Sequence, residues 1–376
     1  MNMRKVFKQM LATVAAGAMS MAMVMPVFAE DINTKHTEAW ISKTYNTEVA
    51  KAEAFSFTAT QKNGDGLVST EALPTMPTIS FAEADKETTT KREKVTFPNY
   101  REAGKYEYTV IENQTATPPI TDGAHEKMIM SKAEYTMDVY VSNAGNGFEI
   151  SNIIVNKKQD DKGKTAEGKV DISNTDKNGF NFTNTYVQEA GTGENPSNPG
   201  EDYNTYGSLN VSKTINENGG TASTTDEFSF KATFNFPAGT DANTLGGVKA
   251  NGTAITLTNG AYDFTLTNGG NEKFTGLPVG TTMTVTESAT PNYKGSAAVV
   301  INGVTQDTVT ASKYDEAITV SGKKLGQKKN AVDVTNTYNN VPVTGIIMNN
   351  LPYIAMIVIG AAALVVYVQN KRKNLQ

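Results

Sequence analysis

Short runs in which apolar and polar residues alternate fill most of the chain between its two ends. Successive side chains of a β-strand point to opposite faces, so a period of two predicts strands that bury one face. Asn-Gly and Asp-Gly dipeptides, which favour tight hairpin turns, separate the runs and begin at Asn63, Asp65, Asp122, Asn218, Asn251, Asn259 and Asn268. Long helical periodicity is missing from this region, so we predict an all-β protein. For residues 83–94, rich in Glu, Lys and Thr, a short helix and a surface loop both remain open.

The strand pattern occurs twice along the chain. AFSFTAT at 54–60 nearly matches EFSFKAT at 227–233, and residues 188–205 between the repeats are rich in Gly, Pro, Asn and Glu. Such a composition, without apolar periodicity, is typical of a linker or an exposed junction. A chain of 376 residues is long enough for two domains. We therefore predict two tandem immunoglobulin-like β-sandwich domains, at 30–187 and 206–340.

Each repeat places a lysine, a glutamate and an asparagine on the inward face of a strand. Each of these residues has the same parity as its apolar neighbours, as Lys213 has with Val211 and Ile215. An uncompensated buried charge costs several kcal/mol of folding free energy, so such residues are expected to have a charged or hydrogen-bonding partner or a chemical function. The alternative is that they lie at strand ends and reach solvent. The two sets are Lys43, Glu112 and Asn184, and Lys213, Glu287 and Asn336.

An amine, a carboxyl and a carboxamide that meet in an apolar core can react with one another. Burial lowers the pKa of lysine and raises that of glutamate, so both groups tend to be neutral. A neutral amine can attack the carboxamide, while the protonated carboxyl polarises the carbonyl and shuttles the proton. Ammonia leaves and an isopeptide bond remains. The chain has no cysteine, so a covalent cross-link within it cannot be a disulfide.

The first 29 residues have the pattern of a secretion signal peptide. A basic start over 4–8 precedes an apolar run over 10–24, and residues 27–29 (VFA) form a small-residue cleavage site. We therefore predict export, with an amphipathic membrane anchor as the alternative.

The C-terminal end carries a second predicted targeting signal. Residues 351–368 form an apolar run of the length of a transmembrane helix, and the basic residues 371–373 follow it. Before this run stand Val341, Pro342, Val343, Thr344 and Gly345. The order resembles the LPxTG-type wall-sorting signal of Gram-positive surface proteins, with valine in place of leucine. This resemblance implies cleavage by a sortase between Thr344 and Gly345; a permanent single-pass membrane protein is the alternative.

Charge and composition argue against several other functions. Without the basic residues of the two ends, the formal net charge is −11, which disfavours binding of nucleic acid through a basic patch. The two histidines, His36 and His125, lie far apart in polar contexts, where lone exposed histidines are usually inert. There is no phosphate loop and no metal-spaced cluster. We expect no turnover enzyme, no cofactor and no metal.

The two sets of Lys, Glu and Asn resemble those of the T-antigen type of Gram-positive backbone pilins. The resemblance implies isopeptide bonds from Lys43 to Asn184 and from Lys213 to Asn336, with Glu112 and Glu287 as the catalytic acids. MTVTESATPNY at 283–293 is similar to the E-box of these proteins, whereas YTVIENQTATPP at 108–119 is looser. The implied function is the structural shaft of a covalent cell-surface pilus. Implied partners are a class C sortase, copies of the chain itself, minor pilins, peptidoglycan and host ligands, with the membrane involved only before cleavage.

A polymerising pilin also needs a surface lysine that accepts the next subunit. The common Tyr-Pro-Lys core is absent, and Phe97-Pro98-Asn99 is the nearest sequence. The T-antigen type lacks this motif too, and its linking lysine lies shortly before the asparagine of the first domain. Lys177 is our first prediction and Lys169 the second, in a polar stretch that also holds Lys157, Lys158, Lys162 and Lys164. A wall-anchored adhesin or a minor pilin that does not polymerise is the alternative function.

Overall fold

The computed structural model describes residues 35–62, 73–175, 179–222 and 225–340, together with 356, 357 and 359. Strands dominate these residues, and the single complete helix among them has six residues. The predicted all-β class is confirmed. Two groups of strands form two successive β-sandwiches, which we call the N-terminal and the C-terminal sandwich.

The N-terminal sandwich consists of ten strands. Its two sheets have the strand orders β4-β1-β10-β6 and β3-β2-β5-β7-β8-β9. The first and last strands, β1 and β10, are parallel neighbours. The strands are β1 (Trp40–Thr47), β2 (Glu53–Gln61), β3 (Thr78–Phe81), β4 (Glu87–Lys94), β5 (Gly104–Glu112), β6 (Glu126–Ile129), β7 (Glu134–Ala144), β8 (Gly147–Gln159), β9 (Thr165–Val170) and β10 (Asn181–Gln188).

The two sheets of this sandwich are held together by an aromatic core. Tyr45 of β1 packs on Phe55 of β2 with ring centroids 5.3 Å apart, and Phe182 of β10 packs on Phe57 at 4.9 Å. These rings are buried, and contacts of this kind stabilise a core beyond the area they bury. The alternating pattern of the sequence therefore produces the interior on which the candidate site depends.

The C-terminal sandwich repeats this arrangement with twelve strands. One sheet has the order β14-β13-β16-β11-β22-β18-β19, with β20 also paired to β18, and the other has the order β15-β12-β17-β21. Again the first and last strands, β11 and β22, are parallel neighbours. The strands are β11 (Leu209–Asn216), β12 (Phe228–Asn235), β13 (Lys249–Ala250), β14 (Thr253–Ala254), β15 (Ala261–Leu266), β16 (Asn271–Thr275), β17 (Thr282–Glu287), β18 (Tyr293–Ile301), β19 (Val304–Thr305), β20 (Val309–Thr310), β21 (Ile318–Lys324) and β22 (Ala331–Tyr338).

Residues 83–94 form neither a helix nor a simple loop. Most of this segment is β4, which runs antiparallel along β1 at the edge of its sheet. An edge strand makes backbone hydrogen bonds on one side only, and charged side chains along it discourage pairing with other chains. The Glu and Lys residues that obscured the strand pattern are thus explained by the edge position.

The Asn-Gly dipeptides form hairpin turns where the structure describes them between short strands. Asn251 and Gly252 join β13 to β14 with φ of 46° and 82°. Positive φ at both positions is the requirement of a type I′ turn, which glycine and asparagine meet at low cost. Asn302 and Gly303 join β18 to β19 in the same way.

The junction between the sandwiches, predicted as a linker or an exposed junction, is partly buried. Residues 188–192 are buried, and the carboxylate of Glu189 accepts hydrogen bonds from Tyr203 Oη and Ser208 Oγ, both at 2.7 Å, and from Gly276 N. His125 Nδ1 lies 2.7 Å from the other carboxylate oxygen. Helix α1 (Glu201–Tyr206) follows. The domain boundaries at 187 and 206 stay a prediction.

The predicted terminal segments lie outside the described residues. These are the signal peptide at 1–29, the pentapeptide at 341–345 and nearly all of the apolar run at 351–368. Among the residues that are described, no helix has the length and apolar character needed to cross a membrane.

Candidate functional site

The register of the parallel strand pair places the predicted lysine and asparagine on one inner face. Tyr45 of β1 lies beside Asn184 of β10, and Lys43 is two residues before Tyr45. Residues two apart on a strand share a face, so Lys43 and Asn184 point into the same interior. Glu112 ends β5 in the opposite sheet, where it pairs with Phe57 of β2. The three side chains therefore meet across the core.

The first triad (Lys43, Glu112 and Asn184) converges on a single carboxylate oxygen. Lys43 Nζ lies 2.6 Å from Glu112 Oε1, and Asn184 Nδ2 donates a hydrogen bond to the same oxygen at 2.9 Å. None of the three residues is more than 1% exposed. Phe55 covers the amine, with its ring centroid 4.6 Å from Nζ. The amine and the carboxamide are thus close neighbours in a place that excludes water.

The carbonyl oxygen of Asn184 faces away from the glutamate. It accepts a hydrogen bond of 2.7 Å from the backbone N–H of Ser131, just after β6. Because a backbone N–H only donates, this contact assigns Oδ1 to Ser131 and Nδ2 to Glu112. The expectation that glutamate polarises the carbonyl is therefore wrong for this geometry. Glu112 contacts the nitrogen that would leave as ammonia.

The second triad (Lys213, Glu287 and Asn336) repeats the arrangement in the C-terminal sandwich. Ile215 of β11 lies beside Asn336 of β22, so Lys213 has the same two-residue offset as Lys43. Lys213 Nζ lies 3.0 Å from Glu287 Oε2 and 3.2 Å from Oε1, and Asn336 Nδ2 donates to Oε1. All three side chains are buried, and Phe228 covers the amine at 4.0 Å.

Burial moves the acid and the amine of each triad towards their neutral forms. Desolvation lowers the pKa of Lys43 and of Lys213 to about 8, against the opposing attraction of the paired glutamates. Desolvation also raises the pKa of Glu112 and of Glu287, although the lysine and asparagine contacts act in the other direction. A proton transfer from the ammonium to the carboxylate therefore costs less here than it would in water.

The remaining predicted residues are described only in part. Lys169 is exposed on β9, the edge strand of its sheet, whereas Lys177 and the pentapeptide Val341 to Gly345 lie outside the described residues. Lys162 and Lys164 are exposed, and Lys157 and Lys158 are half-buried. His125 is not a lone surface histidine, because it contacts Glu189 at the junction. No cluster of metal-binding side chains occurs within the described ranges.

Two further residues beside the first triad, Ser131 and Asp161, were not predicted from the sequence. Ser131 Oγ donates to Asp161 Oδ1 at 2.6 Å, and the backbone N–H of Thr183 donates to the same oxygen at 2.8 Å. Both residues lie in loops, at 131 and 161, and nothing in the local pattern distinguishes them from ordinary turn residues.

Two known domain families match the chain. Residues 39–187 match the Spy0128-like isopeptide containing domain (FctA), and residues 207–338 match a domain of unknown function, DUF7601. No curated protein matches the chain significantly.

Solved structures of pilus proteins are among the similar folds. The major pilin from Streptococcus pyogenes is 19% identical, with 80% of this chain and 98% of that chain covered and a TM-score of 0.31. The T3.2 major pilin of the same organism is 19% identical, with coverages of 81% and 99% and a TM-score of 0.31. A Mobiluncus mulieris adhesin with intramolecular disulfide, isopeptide and ester cross-links is 15% identical, with coverages of 78% and 86% and a TM-score of 0.24.

The identities and TM-scores of these structures are low, so the assignment rests on the domain match. The match of residues 39–187 to the Spy0128-like isopeptide containing domain confirms the resemblance to the Gram-positive backbone pilins.

Proposed function

We propose that this protein is a structural subunit of a covalently polymerised cell-surface pilus, and that a Lys–Asn isopeptide bond closes each of its two sandwiches. One observation carries the proposal: in both sandwiches a buried lysine and a buried asparagine contact the same glutamate, with the same strand register. The match of the first sandwich to an isopeptide-containing family supports the same function.

The bond forms by a condensation that each triad performs once. The neutral amine of Lys43 attacks Cγ of Asn184, so that the Nζ–Cγ bond forms as the Cγ–Nδ2 bond breaks. Glu112, protonated while the amine is neutral, gives its proton to Nδ2 and accepts one from the attacking nitrogen as Nδ2 leaves as ammonia. Glu112 ends unchanged. Two reactants held side by side gain a large effective concentration, which supplies much of the rate without any cofactor. The second triad reacts in the same way.

The proposed bonds suit a fibre under tension. The first and last strands of each sandwich are parallel neighbours, so a pull on the two ends of a sandwich would shear one strand past the other. A covalent link between these strands carries that load. By analogy with a disulfide that closes a loop of more than 100 residues, each bond adds about 5 kcal/mol to the free energy of unfolding.

Polymerisation needs a cleaved C-terminus and an acceptor lysine. In this proposal a class C sortase cuts between Thr344 and Gly345 and joins the threonine to Lys177 or Lys169 of the next subunit. Exposure of Lys169 on an edge strand makes its amine accessible to an enzyme. The product is a shaft on the surface of a Gram-positive cell, attached to peptidoglycan, and the chain is held in the membrane only before cleavage. The role is structural, without turnover of a substrate.

The function is tested by the size of the wall-linked product. Cell-wall extracts from a host that expresses the chain with its sortase should give a ladder of high-mass species that resists boiling in SDS. The variant Lys177→Arg should remove the ladder if Lys177 is the acceptor, and Lys169→Arg should do so if Lys169 is. One discrete wall-linked band in the unsubstituted protein would favour the second candidate, a wall-anchored adhesin or minor pilin.

A further inference from the structure

The carboxamide of Asn184 is bound on both sides: Nδ2 donates to Glu112 Oε1 and, at 3.3 Å, to Met130 Sδ, while Oδ1 has a contact from outside the triad. The backbone N–H of Ser131 points at Oδ1 from 2.7 Å. When an amine attacks Cγ, this oxygen gains negative charge. A fixed donor at such a distance stabilises that charge more than it stabilises the neutral carboxamide, and this difference lowers the barrier.

The segment that presents this N–H is anchored at several atoms. Ser131 Oγ donates to Asp161 Oδ1 at 2.6 Å, and the backbone N–H of Lys132 donates to the carbonyl of Asp161 at 3.0 Å. On the other side, Gln114 Nε2 donates to the carbonyl of Ser131 at 2.8 Å. Ser131 itself is 1% exposed. The loop after β6 is therefore tied to the loop after β8, and the direction of the Ser131 N–H is fixed before any reaction.

One oxygen of Asp161 connects the donor to the reacting residue. Besides Ser131 Oγ, Asp161 Oδ1 accepts the backbone N–H of Thr183 at 2.8 Å, and Thr183 directly precedes Asn184. Asp161 thus sets the spacing between the Ser131 N–H and the carboxamide it contacts. This is the role of a group that preorganises a hydrogen-bond donor.

From this arrangement we infer that the Ser131 backbone N–H is a catalytic donor to the carbonyl oxygen of Asn184 during formation of the first isopeptide bond, and that Asp161 is the residue that positions it. The inference rests on the proposed bond between Lys43 and Asn184. A purely electrostatic role of Asp161 is disfavoured, because its negative charge raises the pKa of Lys43 and so opposes the neutral amine.

The second triad provides an internal comparison, since the described part of the chain places no such donor beside it. Asn336 Oδ1 is buried and has no hydrogen-bond partner among the described residues. Its surroundings are Gly295, where an added Cβ would stand 3.1 Å from Oδ1, and the nearby side chain of Ile318. Both triads occur in one chain, so changes at Asp161 or Ser131 can be compared with an unaltered second bond in the same molecules.

The test follows both bonds over time in newly made protein. Residues 30–340 are produced by cell-free translation, synthesis is stopped, and samples are taken, acid-quenched and digested. Mass spectrometry then gives the fraction of Lys43–Asn184 and of Lys213–Asn336 cross-linked peptides. Asp161→Ala removes the acceptor oxygen and Asp161→Asn keeps one. Ser131→Ala keeps the backbone N–H but removes the hydrogen bond from Oγ to Asp161 Oδ1.

We expect Asp161→Ala and Ser131→Ala to slow the first bond about tenfold, a part of the loss seen when an oxyanion donor is removed outright. Asp161→Asn should stay within about twofold of the unsubstituted rate, because its amide oxygen can accept the same hydrogen bonds. The second bond should form at an unchanged rate in all three. A merely structural role would lower the protease resistance of the first sandwich together with the rate, whereas a positioning role slows the bond in variants that stay as resistant as the unsubstituted protein.

The inference is overturned if Ser131→Ala forms the first bond at the unsubstituted rate, or if Asp161→Asn is as slow as Asp161→Ala. Resistance to protease shows whether Asp161→Ala folds. If it does not fold, the rate of the first bond in Ser131→Ala tests the inference. Failure of the proposed function has a different signature: the unsubstituted chain would then yield no Lys43–Asn184 cross-linked peptide at any time.

Discussion

The two triads share the three residues that we propose to react and differ in what holds the carboxamide. In both, the lysine and asparagine lie on parallel neighbouring strands with a two-residue offset, and the glutamate comes from the facing sheet. The carbonyl of Asn184 has a backbone donor, whereas that of Asn336 has none among the described residues. Strand register thus fixes the three side chains of each triad, and loops fix their surroundings.

The difference extends to the polarity of the two pockets. A carboxylate, a serine and a glutamine surround the first triad, namely Asp161, Ser131 and Gln114. In the second, the space beside the carbonyl oxygen is bounded by a glycine and an isoleucine, Gly295 and Ile318. A polar group buried without a partner costs free energy, so the second carboxamide begins at a higher free energy relative to water than the first. The chain therefore holds the same three side chains in two different environments.

The largest expected effect comes from removing the acid of one triad. Glu287→Ala should abolish the second bond and leave the first intact, and Glu112→Ala should do the reverse. Each variant also leaves a buried lysine without its ion pair, so the affected sandwich should lose about 3–5 kcal/mol in addition to the cross-link. Intact mass and thermal unfolding of each variant measure the two effects.

A glutamate on the surface supplies the control for these variants. Glu149 is exposed on β8, and Glu149→Ala should keep both bonds and nearly the same unfolding temperature. If Glu112→Ala or Glu287→Ala still formed its own bond at the usual rate, the acid would have no role in the reaction.

The pH dependence of bond formation should be the same at both triads. The productive form of each pair carries one proton, on the glutamate, while the amine is neutral. The lysine and the glutamate share this one proton, and the pair loses it as pH rises above the lysine pKa of about 8. Without it, no acid remains to protonate the leaving nitrogen. Both rates should therefore fall above about pH 8, by about tenfold for each further unit.

Cell-free chases at pH 6 to 10 measure these two profiles in one sample. A rate that continued to increase up to pH 10 would mean that a neutral amine alone is sufficient. The expectation would also be wrong if the two bonds had different pH profiles. That result would point to the charge of Asp161, which acts on Lys43 and Glu112 of the first triad.

A smaller effect, confined to the second triad, is expected from Gly295→Ala. The added methyl group would stand 3.1 Å from both Asn336 Oδ1 and Ile318 Cγ2, so one of these groups must shift. Overpacking of this kind costs about 1–3 kcal/mol, and it should slow the second bond while the first is unaffected.

Gly168→Ala is the matched control for that variant. Gly168 lies on β9, and nothing lies within 4 Å of the position its Cβ would take. We expect no change in either bond. Equal rates of the second bond in Gly295→Ala and Gly168→Ala would show that the carbonyl of Asn336 has more room than its neighbours suggest.

Alternation along the strands was sufficient to predict the buried triads. Lys213 shares its parity with Val211 and Ile215, and a side chain of that parity has no other face to occupy once the sandwich closes. The first and last strands of each repeat could be identified for the same reason. Both features depend on the alternation of apolar and polar residues and on the order of the strands, which can be read from the sequence.

The groups around the triads could not be predicted, because loop paths bring them together. Ser131 and Asp161 are 30 positions apart and meet only where two turns converge. Glu189, in a segment rich in Gly and Asn, was expected in solvent, but donors from distant parts of the chain satisfy its buried carboxylate. Strand β4 was missed because an edge strand does not need an apolar face.

The central claim is that two amines have replaced two carboxamide nitrogens within one chain. The intact mass of residues 30–340 tests it most directly. Loss of two ammonia molecules predicts a mass about 34 Da below that of the sequence, and digestion should assign about 17 Da to each sandwich. A mass equal to that of the sequence would contradict the account.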